Sequence, residues 1–134
     1  MVDQGLRAIT LEVAPGELID KITILEIKLE RIGDPAKLEN VKLEHDTLVL
    51  ARDRSVPPSE ELDGLTAELK GVNERLWEIE DDIRDCERNQ DFAANFVELA
   101  RAVYFTNDKR SQIKRSINEH LGSRLIEEKS YAAY

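Results

Sequence analysis

The stretch PGELIDKITILEIKLERI, Pro15 to Ile32, decides how this chain folds. Leu18, Ile22, Leu25, Leu29 and Ile32 step 4, 3, 4, 3, which is one apolar stripe of an α-helix. At 100° per residue, Ile24, Ile27, Asp20 and Thr23 fall on the opposite side. A helix apolar on both faces is buried on both, so this one is central in a bundle or lies at a subunit interface. Asp20 then sits beside the second apolar layer, where an unpaired carboxylate is costly. It requires a cation or several N–H donors. Lys21 and Lys28 point to a flank of the helix and do not meet that need.

Working outward, Arg7 to Val13 (RAITLEV) alternates, with Ile9, Leu11 and Val13 on one side and Thr10 and Glu12 on the other. This pattern predicts a short strand. Its partner would be the C-terminal segment 123–134 or the same strand of a second subunit. Pro15 suits the first helical position, Ala14 is a poor N-cap, and Glu17 is placed to reach back to the cap residue's N–H. Gly33-Asp34-Pro35 ends the helix of residues 15–32 and starts a second over 35–52, so the two form an antiparallel hairpin. Two prolines make Asp53–Ser59 a loop. Ser59 caps a third helix, 59–89, whose stripe runs through Leu62, Leu65, Leu69, Val72, Leu76, Ile79, Ile83 and Cys86 at coiled-coil spacing. Gly64 and Gly71 lie seven apart beside it and read either as tolerated surface glycines, the favoured reading, or as a point of close approach for another backbone. Asn89–Asp91 reads as a tight turn, with Asp91 capping a fourth helix over 92–121 before a tail, 122–134. The expectation is one mostly all-α domain spanning 1–134, an antiparallel helical bundle with long coiled-coil-like helices and one short N-terminal strand.

Composition bounds the function. The 134 residues carry a net charge of −9, with 35% charged and 5% aromatic residues, which suits long solvated helices. The acidic total argues against general nucleic-acid binding. No segment is long and apolar enough to span a membrane, and the N-terminus lacks a signal core, so a cytoplasmic, bacterial-type setting is the expectation. The single cysteine, Cys86, excludes an internal disulfide and a multi-cysteine metal site. His45 and His120 lack a clustered ligand set, so no metal or cofactor is expected. Charge is segregated: residues 59–91 hold twelve acids and four bases, whereas NDKRSQIKRSIN, Asn107 to Asn118, holds four bases and one acid. That contrast predicts complementarity within the molecule.

The basic segment also supplies the cation that Asp20 needs. Asn107, Ser111, Lys114 and Asn118 form a polar stripe on the fourth helix, and Arg110 lies between it and the apolar stripe. Arginine suits a bidentate bond to a partly buried carboxylate, so Asp20 and Arg110 are expected to pair.

GELIDKITILEIKLERI followed by GDPAKLENV, with NDKRSQIKRSIN and the terminal GSRLIEEKSY, resembles an uncharacterised family of small bacterial and phage proteins described only as a domain of unknown function. The family usually shows a small hydroxyl residue where this chain has Ala14. The resemblance spans nearly the whole chain and implies that Gly16, Glu17, Asp20, Lys21, Thr23 and Lys28, with Asn107, Arg110, Lys114, Arg115 and Asn118, matter, without saying what they do. Two functions fit the residues. One is a non-catalytic helical interaction module, a homodimer or the binder of an unidentified protein. The other is a small enzyme or anion-binding domain with a pocket lined by Arg110, Lys114 and Lys21. In that second reading the first helix superficially resembles that of helical chorismate mutases, although Gly33 and Pro35 stop it early and an early arginine is missing.

Overall fold

The computed structural model describes residues 8–134. Four helices follow in order: α1 (Pro15–Arg31), α2 (Pro35–Ser55), α3 (Glu60–Arg88) and α4 (Ala94–His120). At 1.5 Å per residue the 29 residues of α3 span about 44 Å. It pairs with α4 as a long antiparallel hairpin, and α1 lies along both. Among the helices, α2 packs on α1 alone. Thus α1 is the central helix, and its two-sided apolar pattern has an explanation within one chain. Ile19 joins Leu62, Leu69 and Val72 of α3 and Ile113 and Ile117 of α4 in the main core. α2 packs on another flank of α1, where His45 lies 3.8 Å from Glu26. Ile27 is buried and Ile24 half-buried.

Local chemistry sets the helix boundaries. Asp34 accepts from the Ala36 N–H and Ser59 from the Leu62 N–H, and each caps the helix that follows. α2 continues to Ser55, three residues beyond the expected end. Pro57 restrains only the residue before it, Val56, whose N–H still closes on the Arg52 carbonyl. The fourth helix starts later than expected. Asp91 does accept from the Ala93 N–H, at 3.2 Å, but this is a local turn ahead of the helix and the N-cap is Ala93. Phe92 therefore stands outside α4, edge-on to Phe96.

The expected N-terminal strand is absent among the described residues. Residues 8–14 carry no regular secondary structure, and Arg7 lies outside the described range. Alternation specifies which side chains share a face, but it supplies no second strand, and no other strand exists in the described chain to pair with it. The tail 123–134, one of the two partners considered, runs back along α4 instead, with Glu128 on Arg115 and Tyr134 stacked on Tyr104 and Phe105.

Gly64 and Gly71 are surface positions with nothing within 4 Å of an added Cβ. Gly71→Ala is therefore expected to stabilise the chain by about 0.5–1 kcal/mol, since alanine removes the entropic cost of a mid-helix glycine without a steric penalty. Urea denaturation measures it; a loss of stability would mean that another backbone approaches there.

Candidate functional site

One polar cluster lies where α1 crosses the α3–α4 hairpin. Asp20 is 1% exposed. Arg110 grips its carboxylate from α4 through both Nε, at 3.0 Å from Oδ1, and Nη2, on Oδ2. Asn73 of α3 donates to the same Oδ1 at 2.9 Å and also to the Thr23 hydroxyl at 2.9 Å. The Thr23 hydroxyl in turn donates to the Asp20 carbonyl at 2.8 Å. Asn107 braces the guanidinium by accepting from Arg110 Nη1 at 3.5 Å. The buried acid that the sequence places on the second face of α1 is thus paired and hydrogen-bonded from two other helices, which is what makes a buried charge tolerable.

A second layer joins the first. Lys114, one turn on from Arg110, donates to Glu17 at 2.9 Å and lies 3.3 Å from Glu127 and 3.9 Å from Asp20. Glu17 does not reach back to the cap of its own helix, as the local pattern predicts. A charged ammonium within reach outcompetes a neutral N–H for a carboxylate. The capping role passes to α4. Ala14 makes no side-chain cap, and the Gly16 N–H donates to Asn118 Oδ1 at 2.7 Å. Gly16 is needed for this approach, because a Cβ there would lie 2.5 Å from the Lys114 carbonyl oxygen.

The structure therefore brings together Glu17, Asp20, Asn107, Arg110, Lys114 and Asn118. It does not bring Lys21, Lys28 or Arg115 to them. Lys21 is exposed beside Leu18 and Leu48, Lys28 sits half-buried on a flank, and Arg115 faces outward to Glu119 and Glu128. Lys21 does not line a common pocket with Arg110 and Lys114. The predicted complementarity of the basic segment is met, but by different acids: its main partners are Glu17 and Asp20 of α1 and Glu127 and Glu128 of the tail. Of the α3 acids that pair, Glu80 and Asp85 take Arg84 and Arg88 of the same helix, Glu78 reaches Arg31 of α1, and Glu61 lies 3.1 Å from His120 of α4.

Two members, Asn73 and Glu127, escaped the sequence reading, as did Glu128, which meets Arg115 outside the cluster. Asn73 carries the one available signal: it lies four residues after Leu69 and three before Leu76, at the margin of the α3 stripe. Glu127 and Glu128 belong to an irregular tail, where no periodicity marks a partner.

Burial resists charging Lys114. The hydrogen bond to Glu17 and the charges of Asp20 and Glu17 outweigh it, so the amine is held above its ordinary value of 10.5. Arg110 is likewise held above its ordinary value, chiefly by its bond to Asp20. For a base whose folded value is raised, the stabilisation is fully present below the unfolded value and is lost as pH rises through the folded one. Folding stability is thus expected to fall as pH climbs past about 10.5. The Tyr134 phenol, which donates to Asp108, is also held above its ordinary value, chiefly by that bond. Urea midpoints of the native chain and of Lys114→Met across this range isolate the lysine's share: the variant should show the shallower alkaline decline.

Among the described residues no helix is long and apolar enough to cross a membrane, and no group of three metal-ligating side chains is present. Neither a curated protein nor a solved structure matches the chain. Residues 9–134 match the model of one protein family, and the chain accordingly belongs to that family, described as a family of unknown function (DUF6165).

Proposed function

We propose that this chain is a non-catalytic helical interaction module that self-associates, with α1–α4 as scaffold and the surface beside the N-terminal segment as its contact face. The observation that carries this reading is the apolar exposure of that segment: Ile9 is 85%, Leu11 74% and Val13 47% exposed. Three apolar side chains clustered in five residues, beside a groove, mark an interaction site more than a solvated surface.

The alternative, an enzyme or anion-binding domain centred on Arg110 and Lys114, gains no support from the charge balance. Three carboxylates, from Glu17, Asp20 and Glu127, surround those two cations. An incoming anion would meet an excess of negative charge and donors already engaged. The polar cluster reads as the device that fixes α1 in register on the α3–α4 hairpin. A cytoplasmic setting fits the lone, buried thiol of Cys86.

Sedimentation equilibrium of the full chain, from micromolar to submillimolar concentration, tests the reading. A concentration-dependent dimer mass is expected. A strict monomer throughout would overturn self-association.

A further inference from the structure

We infer that the partner of the N-terminal segment is the same segment of a second copy, the two pairing as antiparallel strands centred on Leu11. This rests on the self-association reading above and names its contact. Three observations lead to it.

The first concerns the backbone of the segment. Among the described residues, no N–H or C=O of residues 8–13 bonds to another backbone group. Their sequence nevertheless alternates as a strand does, and strand pairing is what an alternating segment with no backbone bond among the described residues can still form.

The second is space beside it. The segment and the C-terminal half of α2 line a groove of about 810 Å³, whose other lining residues include Leu18, Leu48, Ala51, Val56, Pro57 and Leu121. A second strand entering this groove would have backbone partners on one side and apolar side chains on the other. Two-fold symmetry satisfies both copies at once. The order becomes α2, the partner copy's segment, this segment, and the partner copy's α2, so each strand occupies the other's groove. An isolated two-stranded ribbon is marginal in water, and the flanking helices supply the packing it lacks.

The third is register, and it selects a second copy over a foreign peptide. In an antiparallel pair centred on Leu11, that residue meets its own copy, Ile9 meets Val13 and Thr10 meets Glu12. The apolar side chains share one face, and the acid faces a hydroxyl instead of another acid. Glu12 is further neutralised by Arg124 of its own chain. The segment is thus complementary to itself.

The test is a cysteine scan in a Cys86→Ala background of the full chain, under mild oxidation. Residues directly opposed in an antiparallel pair have Cα atoms about 4.5–5.5 Å apart, inside disulfide range. Leu11→Cys is expected to give disulfide-linked dimers. Thr10→Cys alone and Glu12→Cys alone should link poorly, because each is displaced from its own copy, whereas an equimolar mixture of the two should link as a heterodimer. In sedimentation, Leu11→Lys should weaken the dimer about tenfold or more, because two leucine contacts become two facing charges. A native dimer that Leu11→Lys leaves intact, with no linkage at position 11, would overturn the strand pairing while self-association stands. Linkage of Thr10→Cys as readily as Leu11→Cys would overturn the register. A native chain that is monomeric throughout would overturn both readings together.

Discussion

Arg110→Ala is expected to destabilise the chain by about 3–5 kcal/mol, because it leaves the 1%-exposed carboxylate of Asp20 with Asn73 as its remaining side-chain hydrogen-bond donor and with Lys114 no closer than 3.9 Å. For a domain of this size that corresponds to a fall in melting temperature of about 10–18 °C. The magnitude follows from asymmetry. A buried ion pair contributes little net stability, since desolvation of both partners offsets their attraction, but removing one partner strands the other. Arg110→Lys is expected to recover only part of the loss. A single ammonium replaces a guanidinium that reaches both carboxylate oxygens and also bonds Asn107. Thermal denaturation followed by circular dichroism reads both variants. If Arg110→Ala melted within a few degrees of the native chain, the pair would not be a structural element, and binding would again be its better explanation.

Gly16→Ala is expected to be the other severe substitution, at about 2–4 kcal/mol, although alanine normally favours a helix over glycine. The added Cβ would sit 2.5 Å from the Lys114 carbonyl oxygen and 2.9 Å from Asn118 Oδ1. The first is backbone, so relief requires α1 to move off α4. That costs packing of about 1–3 kcal/mol and the Gly16–Asn118 hydrogen bond, worth about 1 kcal/mol more. The contrast with Gly71, where the same substitution should stabilise, makes the pair informative. One sequence change has opposite signs at two helical positions, decided by what lies opposite. Urea denaturation of both variants measures it; equal small effects would show that the α1–α4 approach is looser than described.

Periodicity made much of this fold legible. The stripes of α1 and α3 are local patterns that state which side of each helix is covered, and the Gly33–Pro35 turn is too short for anything but a hairpin. The Asp20–Arg110 contact was also readable, because burial of an acid creates a demand that few residues can meet. What covers the second face of α1 was less so. A two-sided helix fits a bundle centre and a subunit interface equally well, and only the placement of α3 and α4 distinguishes them. The N-terminal alternation gave a face without a partner. Asp91 misled because a short side chain accepting an N–H two residues on forms the same bond whether a helix starts there or slightly later. Asn73 was obscured by the charged residues around it. The tail's Glu127 and Glu128 have no pattern at all, and their pairing with Lys114 and Arg115 is settled only in three dimensions.

The most direct measurement is a double-mutant cycle between positions 20 and 110, read as folding free energy by urea denaturation. The variants are Asp20→Leu, Arg110→Met and the double replacement. If the cluster is a structural lock, each single change costs several kcal/mol and the double recovers much of that loss, because two apolar side chains leave no stranded charge. Additive costs, with the double variant as unstable as the sum of the singles, would contradict the account; so would single changes that leave stability untouched.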